Sequence, residues 1–260
     1  MKPVTNGLFF SLLVILGLWS CTPVPDAPVE SDLRETLSQI LDHWGSPGAS
    51  VSVVMGGETV FQEGFGSTTA AGGSPVTAVT LAPVQSVSKS FTATALSMLV
   101  EDGMMEWDAP VKQYIPEFEF GGDYLTSHIT VRDLMAHRAG TPVLLGGWEP
   151  SSYSIDDILR DLRTEEPAIP FRAGVYYSQV GMALLGEIIQ RVSDQSWSQL
   201  VSERILEPLS MTSSFPDDPR LMEALGPLDA IPDLMKTISR SEGVLQDVPW
   251  QPYNELWWPA

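Results

Sequence analysis

The chain has 260 residues, 43% of them hydrophobic, which is enough apolar material for one large domain or two small ones. Charged residues make up only 18%, so the composition excludes a chain that is disordered throughout. The 33 acidic and 14 basic residues give a net charge of −19, which argues against a nucleic-acid partner, because phosphate binding needs clustered Lys and Arg.

The N-terminal segment has the pattern of a secretory signal. Lys2 precedes a predominantly apolar run of twelve residues, Gly7 to Leu18, which is too short for a comfortable membrane span. Cys21, the single cysteine of the chain, follows this run and resembles the modified cysteine of bacterial lipoproteins. We predict a signal peptide at 1–20 and a lipidated tether at 21–31, which places the protein on the periplasm-facing membrane of a bacterial cell envelope. The alternative is secretion after ordinary signal cleavage nearby, with an incidental cysteine.

The next elements are a helix and a hairpin. Apolar residues at helical spacing predict a helix over 32–44, which Gly45 ends. Two β-rich runs, 49–55 and 59–64, flank Gly56–Gly57. Because glycine readily adopts positive φ, this pair predicts a tight antiparallel hairpin.

Residues 87–101 give the strongest helix prediction. The segment is long, rich in Ala, Leu, Met and Phe, and ends before Gly103. Its apolar residues cover most of the circumference, which predicts a buried central helix. A second helix is predicted over 130–136, where Thr130 and Asp133 form a start resembling a capping box. Further helical segments are predicted around 108–116, 181–193 and 197–205, and one around Leu234 in the irregular stretch beyond Pro208.

Several familiar catalytic and metal sites are absent from the sequence. It contains no G-x-S-x-G elbow, no H-E-x-x-H, no pair of cysteines and no P-loop. His128 and His137 are not at a helical ligand spacing, and we interpret both as structural. No metal ion or organic cofactor is indicated.

Ser86 and Lys89 form an S-x-x-K tetrad at the start of the strongest predicted helix. Positions i and i+3 share a helix face, so Lys89 can reach the Ser86 hydroxyl. A serine becomes a good nucleophile only when a neighbouring base takes its proton. The helix start also directs backbone N–H groups towards a developing oxyanion. The tetrad is short, and the alternative is a surface lysine on a helix.

Tyr177 lies in a second candidate motif, Tyr-Tyr-Ser-Gln, just before the predicted helix at 181–193. A tyrosine at a loop-to-helix junction can act as general acid or base when nearby cations lower its pKa. The alternative is a pair of packing aromatics.

With these motifs in hand, the sequence resembles the serine β-lactamase-related and penicillin-binding-protein-like hydrolases, especially the class C branch. The matching segments occur in the family's order over roughly residues 47–216, and are PGASVSVVMGGETVFQEGFG, APVQSVSKSFTATALSMLVEDG, MEWDAPVKQYIPEF, ITVRDLMAHRAGTP, FRAGVYYSQVGMALLGEIIQRVS and ERILEPLSMTSSFP. The resemblance implies an α/β fold, with an antiparallel sheet beside a helical subdomain. It also implies that residues 32–260 form a partial domain of this type.

The resemblance also assigns roles to residues. It implies that Ser86 is acylated, that Lys89 accepts its proton, and that Tyr177 shuttles the proton during acylation and deacylation. Gln179 stands where the family usually has an Asn that hydrogen-bonds the lysine and the substrate amide, so it is implied to bind substrate. His137 matches a family histidine that we interpret as structural.

Two departures from the family pattern bear on the expected activity. Arg138 and Ala139 replace the usual small hydroxyl pair after the histidine. The family's third motif, K-T-G or H-x-G on a C-terminal strand, is not found beyond Tyr177; Lys236–Thr237 is followed by Ile238 in surroundings that read as helical. We therefore expect an N-terminal fragment that lacks the C-terminal strands and shows little or no hydrolase turnover.

Three hypotheses about function follow. The first is a lipid-anchored serine hydrolase acting through an acyl-enzyme on a β-lactam, a D-Ala-D-Ala peptide of peptidoglycan or an ester. The second is a non-catalytic envelope lipoprotein that binds peptidoglycan or a protein. The third is a truncated product without function. The choice among substrates depends on pocket shape, which the sequence does not give.

Overall fold

The computed structural model describes residues 28–145 and 153–216, together with two short strands at 238–241 and 244–247. The chain divides into two compact units, residues 1–44 and 45–260. Among the described residues, no helix has both the length and the apolar character needed to cross a membrane.

The first unit contributes helix α1, Pro28–Trp44. The helix predicted over 32–44 is present, but it begins four residues earlier, inside the stretch assigned to the tether. Proline suits the first turn of a helix because its missing N–H would have no intrahelical partner there. Residues 1–27, including the predicted signal peptide and Cys21, lie outside the described residues.

The second unit opens with the predicted hairpin. Strand β1, Gly48–Met55, pairs antiparallel with strand β2, Glu58–Gly66. The turn residues Gly56 and Gly57 have φ values of 59° and 87°, so the positive φ expected of this pair is observed. Phe61 of β2 points into the buried interior.

A helical body follows the hairpin. Its elements are α2 (Ser88–Glu101), α3 (Val111–Tyr114), α4 (Asp123–His128), α5 (Val131–Met135), α6 (Ile155–Leu162), α7 (Gln179–Ser193) and α8 (Trp197–Val201), the last running into a π-helical turn, Ser202–Leu206. Helices α4 and α6 were not predicted from the sequence.

The central helix of this body is α7, which corrects the prediction made for α2. Residues 180–189 of α7 are all buried. Helix α2 buries one face only, and Ser90, Thr94 and Ser97 on its other face are exposed. Small apolar and hydroxyl side chains make α2 look apolar in sequence, yet they can face water at little cost. A hydrogen bond from Trp197 Nε1 of α8 to Thr92 Oγ1, 3.1 Å long, joins α8 to the buried face of α2.

The C-terminal part holds a second correction. Strand β3, Ile238–Ser241, pairs antiparallel with strand β4, Val244–Asp247, where helical surroundings were expected. Ile238 and Val244 are β-branched, and Gly243 stands between them, which is a hairpin pattern that outweighs the helical reading. Leu234 lies outside the described residues.

Candidate active site

Ser86 lies at the entrance to α2. It is the middle residue of a 3₁₀ turn, Gln85–Val87, that leads directly into the helix. The Ser88 hydroxyl donates a 2.7 Å hydrogen bond to the Gln85 carbonyl and so closes this turn. Gln85 has a φ of 49°, a left-handed conformation that costs free energy in a residue with a Cβ. Ser86 itself is exposed, and its hydroxyl is therefore accessible.

Lys89 lies one helical turn after Ser86 and is buried, with 8% of its surface exposed. Its Nζ donates a hydrogen bond of 3.3 Å to Ser86 Oγ. The side-chain contact that the i, i+3 spacing of the tetrad permits is therefore made.

Tyr177 completes the cluster from a distant part of the chain. Its hydroxyl lies 2.6 Å from Ser86 Oγ, and Lys89 Nζ lies 5.0 Å from the centre of its ring. The fold thus brings together the three side chains that the sequence nominated as catalytic.

The electrostatic surroundings of Tyr177 favour its phenolate. Partial burial raises the pKa of Tyr177, but hydrogen bonds with Lys89 and Ser86 and the charge of Lys89 outweigh burial, so the pKa lies below its ordinary value. A phenolate beside a serine hydroxyl can accept the serine proton.

Ser178 fixes the backbone that carries Tyr177. Its side chain caps α7 by accepting a 2.9 Å hydrogen bond from the Gly181 N–H. The same hydroxyl donates to the Pro142 carbonyl at 2.7 Å and accepts from Thr141 Oγ1 at 2.8 Å. Ser178 is buried, so these contacts hold the residue after Tyr177 firmly. The sequence analysis missed this cap, although a serine before a helical pattern is a recognised start signal.

His137 contacts the same segment. Its Nδ1 accepts a 3.2 Å hydrogen bond from the Ser178 N–H, and its carbonyl accepts a 2.8 Å bond from the Tyr176 N–H. Its ring lies 4.8 Å, between centroids, from that of Tyr177 at an interplanar angle of 39°. Burial and the charge of Lys89 lower the pKa of His137, so the imidazole is neutral at neutral pH and Nδ1 is an acceptor.

An ion pair ties the start of this segment to α5. Arg172 Nε and Nη2 donate to Asp133 Oδ1 and Oδ2 at 2.8 and 2.7 Å, in a bidentate pair. Burial raises the pKa of Asp133, but hydrogen bonds from Arg172 and Thr130 and the charge of Arg172 lower it by more, so the net shift is downward. Arg138 Nη2 donates to the Arg172 carbonyl at 2.9 Å, so this departure from the family pattern has a defined partner. Arg172 carried no signal in the sequence.

Gln179 opens α7, and its backbone N–H donates a 2.9 Å hydrogen bond to the Val143 carbonyl. Its side-chain Oε1 is buried and accepts no hydrogen bond from the residues that the structure describes. The position predicted to bind the lysine and the substrate therefore makes no hydrogen bond to Lys89 through this oxygen. His128 stacks on Tyr124, outside this cluster.

Comparison with known proteins decides the family. A family model described as Beta-lactamase matches residues 33–224. The chain belongs to the beta-lactamase family. Unguisins hydrolase ungD' from Aspergillus campestris is 31% identical to it over 197 residues, which cover 72% of this chain and 36% of the relative.

Two solved structures have a similar fold. The octameric penicillin-binding protein homologue from Pyrococcus abyssi has 26% identity and a TM-score of 0.67, and the match covers 86% of this chain and 50% of the homologue. A class C beta-lactamase from Rhodobacter sphaeroides has 24% identity and a TM-score of 0.67, with coverage of 86% and 59%. The predicted β-lactamase/transpeptidase-like fold, with helices and a small antiparallel sheet, is confirmed. The chain spans 36–42% of the length of the first curated relatives.

Proposed function

We propose that this beta-lactamase-family chain is a serine hydrolase that attacks the carbonyl carbon of an amide or ester through Ser86. One observation carries the proposal: Ser86 Oγ lies within hydrogen-bonding distance of both Tyr177 OH, at 2.6 Å, and Lys89 Nζ, at 3.3 Å. An accessible hydroxyl with two groups able to receive or stabilise its proton is an activated nucleophile.

The reaction proceeds in two half-reactions. In the first, Ser86 Oγ bonds to the substrate carbonyl carbon and its proton passes to the phenolate of Tyr177, which Lys89 stabilises. Collapse of the tetrahedral intermediate breaks the bond to the leaving group, which takes the proton from Tyr177 and leaves an acyl-Ser86. In the second, Tyr177 takes a proton from water, whose oxygen attacks the acyl carbon. The bond to Ser86 Oγ then breaks, Tyr177 returns the proton to Ser86 Oγ, and the acid is released with Ser86 and Tyr177 in their starting states.

The candidate substrates share one chemistry. A β-lactam, a D-Ala-D-Ala peptide of peptidoglycan and a carboxylic ester all present a carbonyl that can acylate a serine. The names of the similar proteins, an unguisins hydrolase, a penicillin-binding protein homologue and a class C beta-lactamase, support this range. We assign the substrate amide to Gln179, two residues after Tyr177, whose buried Oε1 has no hydrogen-bond partner among the described residues.

Covalent labelling tests the nucleophile. The protein is incubated with a fluorescent penicillin and, separately, with a p-nitrophenyl ester, and the adduct is located by intact mass and peptide mapping. We expect an acyl adduct on Ser86 that Ser86→Ala abolishes. Ser90→Ala is the matched control, because Ser90 is an exposed serine on the same helix whose hydroxyl bonds the Val87 carbonyl. No adduct with either reagent would favour the non-catalytic lipoprotein and overturn the proposal.

We further propose that Cys21 becomes the lipid-bearing N-terminus and anchors the protein to a bacterial membrane. The support is the lone cysteine after the apolar run of Gly7 to Leu18. Metabolic labelling with palmitate should mark the wild type and not Cys21→Ala. Equal labelling of both would contradict the anchor.

A further inference from the structure

His137 contacts three consecutive residues of the segment that carries Tyr177. Its carbonyl accepts from the Tyr176 N–H at 2.8 Å, its ring packs against Tyr177 at 4.8 Å, and its Nδ1 accepts from the Ser178 N–H at 3.2 Å. A residue that only filled space would have the ring contact without the hydrogen bonds. The two hydrogen bonds of His137 hold the backbone N–H groups on either side of Tyr177 in place.

The backbone of His137 is unusual as well. Its φ of 54° lies in the left-handed region, which histidine, asparagine and aspartate adopt more readily than other residues with a Cβ. This conformation turns the chain at the end of α5, which allows the His137 carbonyl and ring to face the same neighbouring segment. Such strain is retained where surrounding contacts determine it, and it clusters at functional sites.

We propose that His137 is a positioning residue for the proposed acylation, which holds Tyr177 within reach of Ser86 for as long as its imidazole is neutral. The inference rests on the proposed function of Ser86 and goes beyond it, because it assigns a role to a side chain that touches neither Ser86 nor the substrate carbonyl. Histidine in this place makes the geometry of the site depend on pH.

The charges around His137 determine the direction of that dependence. Lys89 from α2 and Tyr177 from the neighbouring segment face its ring. On its own side, Asp133 is engaged by Arg172, and Arg138 donates to the Arg172 carbonyl. None of these contacts places a carboxylate against the His137 ring.

Protonation of Nδ1 would remove an acceptor. An N–H in its place cannot accept from the Ser178 N–H, and the new positive charge would repel that of Lys89. The burial and the Lys89 charge that lower the pKa of His137 keep the acceptor present at neutral pH and confine its loss to acid. As pH falls through the lowered pKa, the neutral fraction declines about tenfold per unit, and the rate of Ser86 acylation should decline with it.

Two substitutions separate the acceptor from the charge. His137→Asn keeps an acceptor oxygen near the place of Nδ1, tolerates positive φ and does not titrate in this range. His137→Phe keeps a ring against Tyr177 but removes the acceptor, so the Ser178 N–H loses its partner. His128→Asn is the control, since the His128 Nδ1 bonds the Tyr124 carbonyl and lies outside the cluster.

The first measurement does not depend on reactivity. The phenolate absorbance of Tyr177 is titrated as the difference between each variant and the same variant carrying Tyr177→Phe, since the chain has six tyrosines. We expect His137→Phe to raise the pKa of Tyr177 towards its ordinary value of about 10, because the phenol moves away from Lys89, and His137→Asn to leave it low. An unchanged pKa of Tyr177 in a folded His137→Phe protein would overturn the inference, even if Ser86 were unreactive.

The second measurement is the rate of Ser86 labelling from neutral pH down to the lowest pH at which the protein remains folded, so that the range reaches below the ordinary titration range of histidine. His137→Asn should label as fast as the wild type at the upper end and faster at the lower end, since it keeps its acceptor when the wild type loses it. Wild-type and His137→Asn profiles that run parallel would also overturn the inference, and this comparison remains available if His137→Phe does not fold. His128→Asn should follow the wild type throughout.

Discussion

Helices α5 and α6 begin with the same local device and play different parts in the molecule. At α5, Thr130 Oγ1 accepts from the Asp133 N–H at 3.2 Å, and Asp133 Oδ2 accepts from the Thr130 N–H at 3.0 Å. At α6, Ser154 and Asp157 make the same two bonds at 3.2 and 2.9 Å. Each is a capping box that satisfies two backbone N–H groups reciprocally.

The two boxes differ in what reaches them from elsewhere. The Asp133 side chain is 7% exposed and paired with Arg172, which lies 39 residues further along the chain. The Asp157 side chain is 27% exposed and paired with Arg160 of the same helix. A cap thus stabilises its own helix in both places, but only the buried one also fixes a distant segment, here the one that leads to Tyr177.

Asp133→Asn should have the largest effect of the substitutions at the two capping boxes. The substitution leaves the Arg172 guanidinium without its carboxylate and weakens the cap, at a cost of about 2–3 kcal/mol in the free energy of unfolding, given that Arg172 is half exposed. Urea unfolding measures the loss. Ser86 labelling should slow as well, since the Tyr177 segment loses its attachment. Asp157→Asn is the matched control and should leave labelling unchanged; slowed labelling there would show that general instability is the cause.

Arg172→Gln should have the next largest effect and also change the pH dependence. We expect a loss of about 1–2 kcal/mol at neutral pH, because two charge-assisted hydrogen bonds are removed. In the wild type, Asp133 has a lowered pKa, so its stabilising effect is complete above the unfolded-state value of 3.8 and is lost as pH falls through the lower folded value. Without Arg172 that pKa rises, and acid unfolding should begin at higher pH. Overlapping acid-unfolding curves for variant and wild type would contradict this.

The hydroxyls of Thr130 and Ser154 cap their helices in the same way, so the effects of removing them on stability can be compared directly. Thr130→Ala and Ser154→Ala should each cost about 1 kcal/mol, which is typical for removing an N-cap oxygen. We expect the Thr130→Ala loss to be the larger. Asp133 loses the hydrogen bond from the Thr130 hydroxyl, and because Asp133 is more buried than Asp157, water replaces that bond less readily. Thermal melts of the two variants, run side by side, provide the test; equal losses would mean that burial adds nothing to a cap.

Arg160→Gln should have the smallest effect. Arg160 is exposed, and its ion pairs within the described part of the chain are with Asp157 and Asp161 on its own helix, where ion pairs contribute little. We expect no measurable change in melting temperature or in Ser86 labelling. A loss of stability as large as that of Arg172→Gln would show that the Arg160–Asp157 and Arg172–Asp133 ion pairs stabilise the protein equally.

Elements whose backbone is satisfied by neighbouring residues were predicted from local patterns in the sequence. Gly56–Gly57 specified the hairpin turn, and Thr130 with Asp133 specified the start of α5, because neighbouring residues alone satisfy those backbones. The box at Ser154 and Asp157 carries the same pattern and was available to the same reasoning, but the helix it begins was not predicted.

Long-range packing could not be read in this way. The apolar composition of α2 suggested a central helix, but which faces are covered depends on α7 and α8, and the sequence does not state their placement. The pairing of Arg172 with Asp133 leaves no trace in either segment alone. The Ser86–Lys89 contact followed from helical spacing, whereas the convergence of Tyr177 on Ser86 was suggested only by the family resemblance.

The turn that contains Ser86 combines a conformational cost with a restricted backbone. A glycine at position 85 would adopt the observed φ of 49° freely, and would remove a conformational cost of about 1 kcal/mol in the folded state. It would also widen the range of conformations open to the nucleophile's own peptide bond. Gln85 therefore narrows the conformations open to the peptide bond of Ser86, and the folded chain carries a conformational cost that a glycine would avoid.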